Sequence, residues 1–186
     1  MPIEPRHERP APSTTTPPRT FIAVGSNLGD RRATIEAALA ELGAVPSITV
    51  VRHSRLIETA PVGPPGQGPY LNGAAELRTA MTPRALLATM LEIEARHGRR
   101  RRDGELDGPR TLDLDLLLHG DAIIDEPGLR VPHPRMHERR FVLEPLAEIA
   151  AEVLHPVANA RVASLLARLG KASADQHHGM PPLGPC

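Results

Sequence analysis

Residues 48–58, ITVVRHSRLIE, and 70–79, YLNGAAELRT, decide the fold. The first segment is rich in β-branched residues and reads as a strand, and the second reads as another, interrupted only by Gly73. Between them, Pro61 to Pro69 holds Gly-Pro-Pro-Gly-Gln-Gly, which is loop chemistry. Two strands in succession break the strict strand–helix alternation that a parallel nucleotide-binding sheet requires.

Working outward, Thr20-Phe21-Ile22-Ala23-Val24 is a short apolar run stopped by Gly25, as expected of a buried strand. Asp30 can cap a helix in which Ile35, Ala38, Leu39 and Leu42 share a face, with Gly43 able to end it. After the strand pair, Thr82-Pro83 is a cap followed by proline at the first helical position. Leu86, Leu87, Met90, Leu91 and Glu94 then continue at helical spacing to Gly98. Residues 99–109 form a charged loop. From Thr111 to His119 the chain alternates, with Leu112, Leu114, Leu116 and Leu118 expected on one face. A Gly120-Asp121 turn is expected to fold Ala122-Ile123-Ile124 back as a hairpin. The order strand, helix, strand, strand, helix, strand predicts an α+β, ferredoxin-like βαββαβ antiparallel sheet with its helices on one face. A C-terminal hairpin and helices follow.

Prolines crowd residues 1–19, beside Ser13-Thr14-Thr15-Thr16, and recur in 171–186; neither end has apolar periodicity. Both are expected to be disordered tails around one domain of residues 20–170. Lysine plus arginine and aspartate plus glutamate are both 22, so the formal net charge is zero and a globally basic nucleic-acid binder is not expected. Cys186 is the single cysteine, which excludes an intrachain disulfide framework or a cysteine-based zinc site. No apolar run approaches the ~18 residues of a membrane span, and the first residues have no signal-peptide core. A cytoplasmic protein, monomeric and without nucleic-acid or membrane partners, is the expectation.

The sharpest chemical signal is Leu112-Asp113-Leu114-Asp115-Leu116. Alternation puts Asp113 and Asp115 on one strand face, about 7 Å apart, where two carboxylates can bracket divalent ions. Oxygen-only ligands favour Mg²⁺; taken alone, the pair also suits an ordinary solvated strand face. Arg99, Arg100, Arg101 and Arg102 run together, and Arg110 precedes Asp113 by three residues. Guanidinium groups beside Mg²⁺ carboxylates suit a polyphosphate, whereas a bare basic run suits solvent. Tyr70 and Phe141 are two of the chain's three aromatics, and each lies in a polar setting, so each is either a core residue or a stacking face for a flat heterocycle. His133 and His137 are four apart, but Pro134 makes the segment a turn or helix start and no third zinc ligand lies nearby in sequence. Gly25-Ser26-Asn27-Leu28-Gly29-Asp30 lacks the endings of a P-loop or dinucleotide motif and reads as a strand-to-helix turn near the site.

Taken in order, Val24-Gly25-Ser26-Asn27-Leu28-Gly29, Glu58-Thr59-Ala60-Pro61-Val62-Gly63, Tyr70-Leu71-Asn72, Gly108-Pro109-Arg110-Thr111-Leu112-Asp113-Leu114-Asp115, Val131-Pro132-His133-Pro134-Arg135-Met136 and Glu138 to Leu146 resemble the 6-hydroxymethyl-7,8-dihydropterin pyrophosphokinase family of folate biosynthesis. The likeness spans residues 20–156. It implies a ferredoxin-like fold and ATP-dependent pyrophosphoryl transfer, with the pterin's hydroxymethyl oxygen attacking the β-phosphorus and AMP leaving. It also implies site residues. Asp113 and Asp115 match ligands of two Mg²⁺ ions. Tyr70 and Phe141 match a pterin sandwich, with Thr59, Asn72 and the Val62 backbone at the pterin's edge. Arg99, Arg101 and Arg110 match phosphate-holding arginines, Arg99 and Arg110 with a catalytic part. Glu94, His133 and Arg139 match the ATP side. Leu106-Asp107 stand where the family often has an aromatic.

Two rivals fit parts of the pattern. A Mg²⁺-dependent sugar or nucleotidyl transferase would use the same Asp-x-Asp without an aromatic clamp. An RNA-binding module would use a ferredoxin-like sheet with exposed aromatics, but the zero net charge and the missing aromatic strand motif argue against it.

Overall fold

The computed structural model describes residues 16–61, 67–98 and 110–175, with side chains to 170. Most of the expected tails and the charged loop 99–109 lie outside these residues. The elements are β1 (Arg19–Ser26), α1 (Arg31–Ala44), β2 (Ile48–His53), β3 (Ile57–Thr59), β4 (Tyr70–Thr79), α2 (Pro83–Arg96) and β5 (Asp113–His119). Then follow β6 (Ile124–Glu126), β7 (Leu129–Val131), a 3₁₀ turn at Met136–Glu138, α3 (Arg140–Ala150), β8 (Leu154–His155), β9 (Ala160–Arg161) and α4 (Val162–Asp175). The described helix α4 thus runs past the expected boundary at 170.

The main sheet has the order β2-β4-β1-β5, antiparallel throughout, with β3 also paired to β4. This is the ferredoxin-like arrangement, and the expected 48–58 strand is two strands on one edge of β4. The break has a packing cause. The backbone between them turns in at Ser54, whose hydroxyl accepts Ala74 N–H at 3.0 Å. Leu56 comes so close to Gly73 that a Cβ there would lie 2.7 Å from its Cδ2. Gly73 therefore does not interrupt β4; it admits the crossing chain.

Both helix starts form as their sequences specify. Asp30 accepts Ala33 N–H at 3.1 Å and Thr82 accepts Ala85 N–H at 3.3 Å. Helices α1 and α2 bury Ile35, Ala38, Leu39, Leu42, Leu86, Met90 and Ile93 against one sheet face, with Ile22, Val24, Leu112, Leu114 and Leu116. The C-terminal helices cover part of the opposite face. There α3 and α4 pack Val142, Leu143, Leu146 and Leu165 on Phe21, Ala74, Leu117 and Leu118.

Two expectations about the end of β5 are corrected. The β1–β5 register slips between Phe21 and Ile22, pairing Phe21 with Leu118 but Ile22 with Leu116. Leu117 is the extra residue of a bulge, so Leu118 does not share the face of Leu112, Leu114 and Leu116. Nor does Ile124 fold back on β5; β6 pairs with β7 around Gly128, whose φ is +76°. The outer edge of β5 is already occupied. Glu94 accepts Leu114 N–H at 2.7 Å and His133 donates its N–H to Leu117 O at 2.9 Å.

At one end of the α3-side face, Glu76, its side chain 3 % exposed, meets two arginines. Arg19 Nε donates to Oε1 at 2.6 Å and Arg52 Nε to Oε2 at 2.8 Å. Hydrogen bonding from Arg19 holds the Glu76 carboxyl below its ordinary value, against burial and with help from Arg52. A carboxyl whose folded pKa is depressed stabilises fully above its unfolded value, near 4.3, and loses that contribution as pH falls through the folded value. Glu76→Gln is expected to cost about 2 kcal/mol at pH 7 and much less at pH 3. Urea unfolding at both pH values checks this, and an equal loss at both would show that packing, not charge, holds the cluster. No helix among the described residues is long and apolar enough to cross a membrane.

Candidate active site

The part of the sheet face that α3 leaves open forms a cavity of about 580 Å³. Its floor is two cross-strand rows. Asn72, Gly25 and Asp113 stand side by side on β4, β1 and β5; in the next row Ala23 and Asp115 line the cavity, while their neighbour Ala74 is buried under α3. The central residues are small, so the floor is low between a polar amide and two carboxylates. A Cβ on Gly25 would lie 3.0 Å from Asn72 Oδ1, so glycine is what lets the β1 backbone form this floor.

On the β4 side, Thr59, Tyr70 and Asn72 line the cavity, with Phe141 from the start of α3. Asn72 Nδ2 donates to Thr59 Oγ1 at 2.7 Å, across the β3–β4 pair. The Arg139 guanidinium lies 5.7 Å from the Phe141 ring centroid, a cation–π arrangement. On the β5 side are Asp113, Asp115, Arg110, His133 and Arg139. Arg110 Nη1 donates to Asp113 Oδ2 at 2.8 Å. Burial opposes the charge on Arg110, but Asp113, with Tyr70 and Asp115, outweighs it and raises its pKa.

His133 is pushed down to about 4, by burial first and then by Arg139 and Arg135, against the opposing pull of Asp113. It is therefore neutral at pH 7. Its Nδ1 accepts Arg135 N–H at 3.2 Å, which leaves the proton on Nε2. The positive charge on this side thus comes from arginines, while His133 offers one neutral N–H.

Asp113 and Asp115 share the cavity face because β5 alternates, and Leu112, Leu114 and Leu116 lock its other face in the core. Among the described residues no group of three or more His, Cys, Asp or Glu could enclose a metal. Two carboxylates with only oxygen donors fit a hard cation such as Mg²⁺, which commonly takes its remaining ligands from substrate phosphates and water.

Not every expected residue reaches the cavity. Glu94, expected on the ATP side, is 1 % exposed on α2 and supports the β5 edge through Leu114 N–H. Val62, Arg99 and Arg101 lie outside the described residues. Arg135 and Glu138 line the cavity without having been singled out. Gly25, expected in a turn near the site, lies instead in β1, and its place in the floor follows from the register of three strands.

The family model described as 7,8-dihydro-6-hydroxymethylpterin-pyrophosphokinase matches residues 21–151. A 2-amino-4-hydroxy-6-hydroxymethyldihydropteridine pyrophosphokinase from Bacillus subtilis is 46% identical over 133 residues, covering 72% of this chain and 78% of that one. A protein of the same name from Methylorubrum extorquens is 37% identical over 158 residues, covering 85% and 98%. Among solved structures, an HPPK-DHPS in complex with substrates aligns with a TM-score of 0.67 at 13% identity. That match covers 87% of this chain but 45% of the solved one, so the likeness concerns the fold of under half of that protein.

Proposed function

Because this chain belongs to the 7,8-dihydro-6-hydroxymethylpterin-pyrophosphokinase family, we propose that its cavity joins ATP and the pterin over the Asn72–Gly25–Asp113 floor. The protein is a pyrophosphokinase of folate biosynthesis, transferring a pyrophosphoryl group to hydroxymethyldihydropterin. The hydroxymethyl oxygen attacks the β-phosphorus of ATP. A new oxygen–phosphorus bond forms, the bond from that phosphorus to the oxygen bridging to the α-phosphate breaks, AMP leaves, and the hydroxyl proton is released.

One observation carries the site assignment: residues from separate motifs meet around a single cavity, stacking and amide groups on one side, charged groups on the other. Tyr70 and Phe141 hold the flat pterin ring, and Asn72 and Thr59 read its edge. Arg110 and Arg139 hold phosphate oxygens, with the neutral His133 as a further donor. Asp113 and Asp115 hold two Mg²⁺ ions, which when bound neutralise charge on the transferring group. Asp113, beside Gly25 and across from Asn72, also faces the reacting hydroxymethyl group. The resemblance adds the Val62 backbone to the pterin's edge, and Arg99 and Arg101 to the phosphates. The resemblance also adds Glu94 to the ATP side, where its carboxylate supports β5 through Leu114 N–H. We further infer a cytoplasmic monomer acting on small molecules; the zero net charge does not suit a globally basic nucleic-acid binder.

With ATP, 6-hydroxymethyl-7,8-dihydropterin and Mg²⁺, the protein is expected to release AMP and pterin diphosphate in equal amounts. A chelator should stop turnover and added Mg²⁺ restore it. ADP as the nucleotide product would overturn the reading.

A further inference from the structure

The β3–β4 ladder ends inside the site. Its last matched residues are Thr59 and Tyr70, and residues 60–69 join the two strands beyond them. Both residues line the cavity. A ladder opens most readily at its ends, where a pair has neighbours on one side only. Holding Thr59 and Tyr70 at fixed positions therefore takes more than the ladder.

The other face of the same end supplies the hold. Alternation turns Glu58 and Leu71 away from the cavity, and Leu71 packs on the core beneath α1 and α2. Arg31, the first residue of α1, reaches both strands from there. Its Nη2 donates to Glu58 Oε2 and its Nη1 to Pro69 O, each at 2.8 Å. One guanidinium thus spans the open end, bonded to the residue before Thr59 and to the residue before Tyr70. The helix behind it is secured by the Asp30 cap and by the buried Ile35, Ala38, Leu39 and Leu42. A guanidinium suits this place because its donors leave one rigid plane in set directions, here to a carboxylate and to a carbonyl.

The bridge is badly placed to stabilise the fold. The Arg31 side chain is 29 % exposed and that of Glu58 57 %, and ion pairs in water contribute little. Neither side chain lines the cavity. What the bridge limits is the movement of two residues that do. A site that must be ordered during binding loses affinity to that ordering, and a site ordered beforehand does not.

We propose that Arg31 is a positioning residue for the pterin side: through Glu58 and Pro69 it fixes the Thr59–Tyr70 end of the ladder, and with it the affinity for pterin. The inference rests on the assignment of Thr59 and Tyr70 to the pterin. Arg31 touches no ligand, so its effect falls on pterin affinity and spares both stability and nucleotide.

The test measures two affinities by calorimetry: that of a non-hydrolysable ATP analogue with Mg²⁺, and that of the pterin once the analogue is saturating. Arg31→Ala should weaken the pterin about tenfold and change the analogue less than about twofold. Its urea midpoint should move by less than about 0.5 M. Arg31→Lys keeps the charge without the fork and should lie between. Glu58→Ala removes one arm and leaves Pro69 held, so it should weaken the pterin less; it also keeps the test open should Arg31→Ala fail to fold. Added to Arg31→Ala, it should cost nothing more, because both act through one bridge. The proposal is overturned if folded Arg31→Ala binds pterin within about twofold of the parent. It is also overturned if both ligands weaken alike, the mark of general loosening, or if the two substitutions add independently. Thr59→Ala and Tyr70→Leu separate this from an error in the site itself. If neither weakens the pterin, the assignment of the pterin side fails and the proposal falls with it. If they do and Arg31→Ala does not, only the bridge fails.

Discussion

Asp113→Asn and Asp115→Asn should each lower AMP release at least ~10²-fold, about 2.7 kcal/mol of transition-state stabilisation, while the protein stays folded. Folding should survive because neither side chain belongs to a packed layer. Both face the cavity, and Leu112, Leu114 and Leu116 secure β5 from the other side. The substitution keeps shape and removes one negative charge, so it acts on whatever cation the pair holds. A pyrophosphoryl group carries several charges through the reaction, so positioning and charge neutralisation must supply most of the acceleration. The two variants should differ in one respect. Asp113 stands beside Gly25 and across from Asn72, so Asp113→Asn should also weaken pterin binding; Asp115, one row further along, should not. AMP release across a Mg²⁺ titration, with circular dichroism for the fold, decides the matter. A folded variant within about threefold of the parent at low Mg²⁺ would reduce that aspartate to a solvated strand residue.

The sequence showed what is local. Alternation from Leu112 to Leu116 put both aspartates on one face, and Asp30 and Thr82-Pro83 located two helix starts. It could not show what depends on register. Leu118 changes face because a bulge inserts Leu117, and nothing in a run of three leucines marks which is extra. Gly73 looked like a weak point in β4, yet its missing side chain is what Leu56 needs at close approach. The Asn72–Gly25–Asp113 row joins residues of three strands, and the Asn27–Arg110 bond spans 83 positions. Pairings at such separation leave no local pattern.

Glu94 is different, because its signal was present. Leu86, Met90 and Glu94 recur at helical spacing, which places the carboxylate on the same buried face as the two apolar side chains. The helical period alone pointed it into the protein. The period agrees with its burial, and the strand edge of β5 supplies the polar partner that a buried carboxylate requires.

Arg110→Ala should also cost at least about 10²-fold in turnover, the usual loss when one positioned donor to a developing charge is removed. Arg110 differs from the exposed arginines of the surface. It lines the cavity, is half-buried and already pairs with Asp113 at 2.8 Å. Its guanidinium has several donors in a fixed fork, enough to keep a carboxylate partner and reach a phosphate. Arg110→Lys keeps the charge without the fork, so it should lie between, about tenfold down. The Arg110 backbone N–H, which donates to Asn27 Oδ1 at 2.7 Å, and its C=O, which accepts Asn27 N–H at 3.1 Å, survive both substitutions, so the damage should fall on the phosphates. The kinetic signature follows. If Arg110 binds the phosphates more tightly in the transition state than in the bound substrate, kcat must fall and not merely KM rise. Steady-state measurement at saturating pterin over a range of ATP separates the two. A rise in KM for ATP with kcat unchanged would make Arg110 a ground-state anchor only. A variant within threefold of the parent in both would leave Arg110 as a partner for Asp113 and nothing more.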